Sequence, residues 1–343
     1  MSRPEQSTDM FREAAEAAEA VARQEAAAND LKRIGAELRR RSPRIVITCA
    51  RGSSDHAATF AKYAIETRVG IPTASAAPSV SSIYSSALRA DGALCIAISQ
   101  SGRSPDLLAT VASLKDAGAW VLALVNDTAS PLCDLADEVY GLAAREERSV
   151  AATKSFIASL SAIARLIAEW AEDARLTADL HALPNLLAGA WECDWSPMIR
   201  ALTNAHDLYV LGRGVGLGVA QEAALKLKET SQLHAEAFST AELRHGPMAL
   251  IRRGFPALMF SQSDQTSGQV NEAAAALVER GARVFVAGEN IPGAVSLPAI
   301  GCAPLLEPIL QIQSFYRAAN ALALARGLDP DNPPHLRKVT ETL

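Results

Sequence analysis

The strongest constraint on the fold is an internal repeat within the 343-residue sequence. Residues 44–63 align with residues 206–225 at an offset of 162, and both copies run from an apolar stretch through an Arg-Gly pair into an Ala-rich stretch. The same offset places a Ser-Gln-Ser triplet at 99–101 on an identical triplet at 261–263, and a third match near Gly118 needs one residue of slip. Segments that recur in register predict one supersecondary unit used twice.

Each copy has the pattern of a parallel β-sheet. Its strand segments, such as 45–47 and 121–125, are unbroken apolar runs, which are typical of parallel strands buried on both faces. Connections of helical length separate them. We therefore expect an α/β fold with two subdomains, each a doubly wound parallel sheet flanked by helices.

The segments outside the repeats predict the rest of the organisation. Residues 8–41 are rich in Ala, Glu and Arg and predict one long helical stretch, and a connector between the repeats is expected to be broken by Pro184 and Pro197. A C-terminal helix over 304–327 precedes a Pro-rich tail that cannot be helical throughout. The expected boundaries are a helical extension at 1–42, a first domain at 43–171, a connector at 172–198, a second domain at 199–327 and a tail at 328–343.

Composition excludes several partners and compartments. The formal net charge is −5 without a basic face, which argues against nucleic acid. The five cysteines never form a Cys-x-x-Cys pair, which favours a reducing compartment, and Cys49 and Cys95 lie in apolar runs as expected of buried thiols. No signal-peptide stretch and no 18-residue apolar segment is present. We expect a cytoplasmic protein without a membrane partner.

Two serine-rich loops are the best candidates for ligand binding. In an open parallel sheet, ligands bind beyond the carboxyl ends of the strands. Arg51-Gly52-Ser53-Ser54 follows the first predicted strand, and 99–104 (Ser-Gln-Ser-Gly-Arg-Ser) follows the second, just before Pro105. Hydroxyl and amide donors on close glycine turns suit a phosphate group without a metal ion. The alternative is that Ser53 and Ser99 only cap helices; two such loops on adjacent strands favour phosphate.

The second copy contains a charged helix instead. Glu222, Lys226 and Glu229 follow i, i+4, i+7 spacing and share one helix face. A Lys one helical turn from a Glu most often forms a weak surface ion pair. Here the surrounding alanines and leucines indicate partial burial, and a partly buried Glu could move protons at neutral pH. His245 and Lys338 carry little signal by themselves, since isolated His and terminal Lys residues are usually structural or solvated.

Motifs for cofactor or metal chemistry are missing. The glycine run at 212–218 resembles a dinucleotide loop, but Leu217 occupies the third glycine position, and the next strand ends in Ser-Gln rather than an acidic residue. The phosphate loop of nucleotide hydrolases, HExxH, CxxC and GxSxG are absent. We expect no cofactor and no metal.

Several motifs together resemble one known family. The tandem sugar isomerase (SIS) domains of the isomerase half of glucosamine-6-phosphate synthase are similar to this chain over residues 28–343. The resemblance rests on SQSGRSPD at 99–106, SVAATKSF at 149–156, EAALKLKETSQLHAEAF at 222–238, ELRHGPMALI at 242–251 and LRKVT in the tail.

The resemblance implies roles for individual residues. Glu229 matches the base that moves a proton between carbons 1 and 2, and Lys226 matches its helper at the enolamine oxygens. His245 matches the group associated with ring opening, contributed to the neighbouring subunit, and Lys338 matches the tail lysine that forms a Schiff base with the open-chain ketose. The implied substrate-binding and phosphate-binding residues are Arg51, Ser53, Ser54, Ser99, Gln100, Ser101, Ser104 and Val150.

Three departures from the synthase refine the expectation. Arg51 replaces a small residue and Ala152 replaces a ligand serine, and the chain opens MSRPEQ, without the N-terminal Cys of a glutaminase domain. The pattern looks most like stand-alone SIS-type glucosamine-6-phosphate deaminases. We expect a homodimer that converts glucosamine 6-phosphate to fructose 6-phosphate and ammonia, with the serine loops and Glu229 acting on one sugar phosphate.

Three alternatives stay open. The chain could be a phosphosugar aldose–ketose isomerase, or a protein that resembles the glutamine–fructose-6-phosphate aminotransferase (isomerizing) without its glutaminase. It could also be a non-catalytic sugar-phosphate sensor. The sensor is the least favoured, because the N-terminal stretch has no basic recognition helix.

Overall fold

A computed structural model describes residues 4–338 and contains two five-stranded sheets in which every strand pairs in parallel. The α/β fold with two doubly wound subdomains, expected from the repeat, is confirmed. The strands are β1 (Val46–Cys49), β2 (Thr73–Ser75), β3 (Leu94–Ser99), β4 (Trp120–Val125), β5 (Glu138–Gly141), β6 (Asp207–Gly212), β7 (His234–Ser239), β8 (Pro256–Phe260), β9 (Arg283–Ala287) and β10 (Val295–Leu297).

The two sheets have the same strand order. The first is β2-β1-β3-β4-β5, and the second, read in the same direction, is β7-β6-β8-β9-β10. In both, the first strand of the copy lies between the second and the third, so the chain reverses its winding direction there. The carboxyl ends of β1 and β3, and of β6 and β8, are therefore neighbours at that reversal, the position where α/β sheets bind ligands.

Buried apolar layers hold each sheet to its helices. In the first sheet, Cys95, Ala97 and Val121 pack with Val111 and Leu114 of the following helix. The second sheet packs its own alternating residues in the same way, with Met259 and Val286 against Val270, Ala274 and Leu277. Full burial of an aliphatic side chain stabilises a fold by about 1.5–3 kcal/mol, so these layers fix the strand ends that carry the loops.

The helices cover both halves of the chain. They are α1 (Asp9–Ala15), α2 (Ala17–Arg23), α3 (Ala28–Arg41), α4 (Ser53–Arg68), α5 (Pro78–Ser82), α6 (Pro105–Asp116), α7 (Pro131–Leu135), α8 (Lys154–Trp170), α9 (Ala174–Trp191), α10 (Ser196–Leu202), α11 (Gly216–Ser231), α12 (Ser267–Glu279) and α13 (Glu307–Ala325).

The N-terminal stretch differs from its prediction. Residues 8–41 do not form one helix, because a 3-10 segment at Gln24–Ala27 and a break after α1 divide it. The buried Gln24 amide donates to the carbonyls of Leu142 and Ala158, at 3.0 and 2.9 Å. These long-range hydrogen bonds hold the Gln24 side chain in place. A regular helix through this segment would direct that side chain away from the two carbonyls.

Pro184 does not break the connector as expected, since α9 runs through it. A proline within a helix leaves the carbonyl four residues earlier without its usual donor. Here that carbonyl belongs to Leu180, and the Arg165 guanidinium donates to it at 3.4 Å. Pro197, by contrast, lies in the first turn of α10, where a proline is tolerated.

Internal contacts divide the chain into two compact units. Among the described residues, the second-sheet unit combines the chain from 4 to Ala18 with Arg148–Ile157 and Ala182–Leu336, and the first-sheet unit combines Glu19–Glu147 with Ala158–His181 and with Arg337 and Lys338. Because both units are discontinuous in sequence, the linear domain boundaries stay a prediction. Across residues 4–338, no helix has the length and apolarity needed to cross a membrane.

Candidate active site

The first-sheet unit carries the serine loop at the carboxyl end of β3. Ser99 ends that strand, and its hydroxyl accepts a hydrogen bond from the Gly102 N–H at 2.9 Å, which closes the turn. Ser104 is the N-cap of α6 but makes no side-chain capping bond, and Pro105 begins the helix. The serine side chains of this loop therefore do not act as helix caps.

Gly102 shapes this loop. Its φ is +63°, a left-handed conformation that favours glycine, and a Cβ at this position would overlap the Ser130 hydroxyl. The turn is therefore strained by any residue other than glycine there. It leaves Gln100 and Ser101 at the loop, both only partly buried.

Arg51, Ser53 and Ser54 belong to the neighbouring loop, after β1. Ser53 and Ser54 begin α4 behind Gly52, whose φ is +55°. The Arg51 Nε donates to the buried Asp106 carboxylate at 2.7 Å. Asp106 lies on α6, so this ion pair ties the first loop to the helix that follows the second loop.

The second-sheet unit buries the charged helix face of α11. The Lys226 ammonium lies 3.4 Å from a Glu222 carboxylate oxygen and 2.5 Å from a Glu229 oxygen. The side chains of Glu222 and Lys226 are 0% and 1% exposed, whereas Glu229 is 17% exposed. The i, i+4, i+7 face predicted from sequence is thus a buried array in which Glu229 is the member that solvent reaches.

Charge keeps this lysine protonated. Burial by itself would lower the pKa of Lys226, but the carboxylates of Glu222 and Glu229 outweigh it and raise the pKa above its usual value. The hydroxyl of Tyr316, on α13, donates to Glu222 at 3.1 Å. Lys226 therefore presents a fixed positive charge beside the Glu229 carboxylate.

Val150 lies in a loop that α1 holds in place. The buried Glu13 carboxylate accepts the backbone N–H groups of Arg148 and Ser149, at 2.5 and 3.0 Å. Glu16, one turn further along, pairs with the buried Lys154 at 2.6 Å. The SVAATKSF segment is thereby attached at Ser149 to Glu13 of α1 and at Lys154 to Glu16, the residue that follows this helix.

His245 and Lys338 occupy different settings. His245 ends a 3-10 segment, Glu242–His245, and is exposed. The Lys338 ammonium lies 3.3 Å from a carboxylate oxygen of Glu147, whose side chain is fully buried. Glu147 gives the tail lysine a fixed anionic neighbour within the first-sheet unit.

Some residues of these clusters escaped sequence reasoning. Tyr316, Glu13 and Glu147 each reach their partner from far along the chain, and the spacing of residues gives no signal for such contacts. Glu147 could have been suspected from its place two residues before the SVAATKSF segment. As for metals, the part of the chain that is described contains no cluster of three His, Cys, Asp or Glu side chains able to hold an ion.

The fold and the sequence together define the class of protein to which this chain belongs. The SIS domain model matches residues 38–168 and 201–287, one segment in each sheet's copy. The chain belongs to the SIS domain family, as the motifs indicated.

Individual relatives narrow the comparison. A glutamine–fructose-6-phosphate aminotransferase (isomerizing) from Gluconobacter oxydans (strain 621H) is 34% identical over 319 residues, which cover 86% of this chain and 51% of that protein. The chain thus spans about half the length of the curated relatives it matches.

Two solved structures are similar over nearly the whole chain. A protein from Silicibacter pomeroyi DSS-3 that was assigned as a phosphosugar isomerase is 45% identical, with a TM-score of 0.91, and the match covers 94% of this chain and 100% of that one. The C-terminal domain of glucosamine-fructose-6-phosphate aminotransferase from Francisella tularensis is 26% identical, with a TM-score of 0.85 and coverage of 95% and 98%.

Proposed function

We propose that this protein is a phosphosugar isomerase of the deaminating kind, which converts glucosamine 6-phosphate and water to fructose 6-phosphate and ammonia. The observation that carries the proposal is the buried Glu222–Lys226–Glu229 array on α11. A carboxylate that solvent reaches, next to a fixed ammonium group, suits proton transfer at a carbon beside a carbonyl. The relatives assigned as a phosphosugar isomerase and named as a glutamine–fructose-6-phosphate aminotransferase both carry names that refer to phosphorylated sugars.

The serine loops would hold the phosphate. Ser99, Ser101, Ser104 and the Gln100 amide offer hydroxyl and N–H donors at the carboxyl end of β3, and Ser53 and Ser54 add the first turn of α4. Arg51 supplies a positive charge whose direction is fixed by Asp106. Val150 is the further residue that the family resemblance assigns to the substrate.

Glu229 would carry out the central step. After ring opening assisted by His245, Glu229 removes the proton from carbon 2 of the open-chain aldose and returns it to carbon 1. Lys226 stabilises the negative charge that develops on the enolamine oxygen. The product is a ketose imine, and water replaces its nitrogen, directly or by exchange through Lys338, to release ammonia. Aldose–ketose proton transfer of this type needs no cofactor.

Turnover of glucosamine 6-phosphate tests the proposal. Purified protein is assayed for ammonia and fructose 6-phosphate, alongside Glu229→Gln and its control Glu236→Gln, an exposed glutamate on β7. We expect Glu229→Gln to lower kcat by about 10²–10⁴-fold, the usual contribution of an acid–base group, and Glu236→Gln to match the wild type. Absence of turnover, or full turnover in Glu229→Gln, would refute the proposal.

Simple aldose–ketose isomerisation is the second candidate, favoured by the assignment of the Silicibacter protein. The same Glu229 and Lys226 chemistry would serve it, with a hydroxyl in place of the amine on carbon 2. A panel of gluco- and galacto-configured sugar 6-phosphates, with and without the amine, separates the two. Interconversion of glucose 6-phosphate and fructose 6-phosphate without any ammonia release would favour isomerisation.

The assembly proposed with this function is a homodimer, since the resemblance assigns His245 to a neighbouring subunit. Gel filtration with light scattering tests it directly. A fully active monomer would remove the dimer from the account.

A further inference from the structure

The second sheet carries its own copy of the serine loop. At the offset of 162, Ser101 aligns with Ser263 and Ser104 with Thr266, and the Ser263 loop follows β8 just as the Ser101 loop follows β3. Gly216, at the start of α11, packs against the Gln262 amide so tightly that a Cβ would lie 2.7 Å from its oxygen. The second sheet therefore retains a serine-bearing loop at the same strand end, although Asp264 takes the place of Gly102 and does not adopt its left-handed φ.

A carboxylate of the chain occupies that loop. One Glu307 oxygen accepts the Ser263 backbone N–H at 2.6 Å, and the other accepts the Ser263 hydroxyl at 2.9 Å. The Cys302 N–H lies 3.4 Å from the second oxygen. Glu307 is buried, so the carboxylate has exchanged water for these donors. A backbone N–H and a hydroxyl of one serine are the donors that a bound phosphate oxygen would use.

Two further donors of the second loop also form hydrogen bonds to groups of the chain itself. The Thr266 hydroxyl donates to Asp264 at 2.5 Å, and the Gln262 amide nitrogen donates to the Arg213 carbonyl at 2.7 Å. Asp264 takes the place that Gly102 has in the first loop, which adds a second negative charge.

The first loop differs in this respect. Within residues 4–338, the hydroxyls of Ser101 and Ser104 make no hydrogen bond to a carboxylate. One copy of the loop is open to an anion, and the other already contains one.

We propose that the Ser263 loop is a phosphate-type anion site whose permanent ligand is the Glu307 carboxylate, which closes it to external phosphate. The chain then binds one phosphate through the first loop, whose role rests on the proposed function, and none through the second. Removing the Glu307 carboxylate would expose the Ser263 donors and create a second phosphate site.

Equilibrium dialysis with radiolabelled inorganic phosphate tests this. We expect the wild type to bind one equivalent, Glu307→Ala to bind a second, and the double variant Glu307→Ala with Ser263→Ala to lose the second again. Glu307→Gln, which keeps the side-chain volume and fills the loop, should stay at one. Circular dichroism and thermal unfolding verify that each variant is folded.

The outcomes separate this inference from the proposed function. The inference is overturned if a folded Glu307→Ala variant binds no more phosphate than the wild type. It is also overturned if the wild type binds two equivalents of phosphate and Ser263→Ala removes one of them. That second measurement decides the question even if Glu307→Ala does not fold. If the wild type binds no phosphate, the proposed phosphate-binding role of the first loop is contradicted. A gain of bound phosphate in Glu307→Ala would still support the inference that Glu307 closes the second loop.

Discussion

At the scale of single residues, the lysine of α11 depends on neighbours that no spacing rule reveals. Lys226 touches Glu222 and Glu229 on its own helix, but Glu222 is itself held by the Tyr316 hydroxyl from α13. A buried carboxylate that loses a donor bears an uncompensated desolvation cost. Tyr316 is therefore part of what fixes the charge balance around Lys226.

Substitution of Tyr316 tests this dependence. Tyr316→Phe keeps the ring and removes only the donor to Glu222, so we expect the free energy of unfolding to fall by about 1–3 kcal/mol. The exposed Tyr84→Phe is the control and should leave it unchanged. Urea denaturation followed by circular dichroism measures both. Equal stability of the two variants would show that the Tyr316 hydroxyl contributes nothing to the array.

Thiol reactivity gives a second test at this scale. Burial raises the pKa of Cys49 to about 12 and also raises the pKa of Cys95. Because the thiolate is the reactive form, we expect N-ethylmaleimide at pH 8 to spare both in the native protein and to label them in urea. Mass spectrometry of tryptic peptides reads this out, with the partly exposed Cys133 as internal control. Rapid native labelling of Cys49 would contradict the buried setting.

The sequence predicted part of this residue-scale account. The shared face of Glu222, Lys226 and Glu229 follows from helical periodicity, and the burial of Cys49 and Cys95 follows from their apolar runs. The partners Tyr316 and Glu147 could not be predicted, because they depend on which elements pack together. The pairing of Arg51 with Asp106 could not be predicted either, because the two residues lie 55 positions apart in the chain.

At the scale of elements, the loop after β3 depends on one glycine. Gly102→Ala would place a methyl group against Ser130 and force a left-handed φ on an L-residue. Gly70→Ala is the matched control, because its φ of +78° imposes the same backbone cost but no atom lies within 4 Å of the added Cβ.

We therefore expect both glycine variants to lose about 1–2 kcal/mol from the backbone, and Gly102→Ala to lose about 1–3 kcal/mol more from overpacking. Denaturant unfolding measures the difference. Phosphate binding should fall in Gly102→Ala alone. Equal losses in the two variants would mean that the loop can relax away from Ser130.

The N-terminal helix offers a further test at this scale. The Glu13 carboxylate accepts two consecutive N–H groups ahead of Val150, so Glu13→Gln leaves one of them facing an amide donor. We expect the free energy of unfolding to fall by about 1–3 kcal/mol and hydrogen exchange of the Arg148–Ser149 amides to accelerate. Glu19→Gln, at an exposed position on α2, serves as control. Unchanged exchange at those two amides would rule out this anchoring.

Element predictions failed where tertiary contacts override local preference. The expected single helix over 8–41 is interrupted because the buried Gln24 amide donates hydrogen bonds to distant carbonyls. The expected break at Pro184 is absent because Arg165 donates a hydrogen bond to the Leu180 carbonyl. Neither compensation can be read from a local window of sequence. The strands were predicted more closely, since the apolar run at 121–125 corresponds to β4, which begins one residue earlier and ends at the same residue.

At the scale of the whole molecule, the repeat accounts for the architecture, and its asymmetry is the basis of the chemistry that we propose. Two copies give two sheets with the same strand order. The first copy keeps an open serine loop, whereas the second contributes the Glu222–Lys226–Glu229 helix and fills its own loop with Glu307. Repetition was visible in the sequence. The division of roles became visible only with side-chain contacts.

The central claim is that Glu229 transfers a proton between carbons 1 and 2 of glucosamine 6-phosphate. The most direct measurement is the reaction run in deuterated water, with the fructose 6-phosphate product analysed by NMR. The Glu229 side chain is 17% exposed, so its carboxyl can exchange the proton with solvent before returning it. The account therefore predicts deuterium at carbon 1 in part of the product formed by the wild type, and labelled product and ammonia formed about 10²–10⁴-fold more slowly with Glu229→Gln. Ammonia and fructose 6-phosphate formed by Glu229→Gln at the wild-type rate would contradict it.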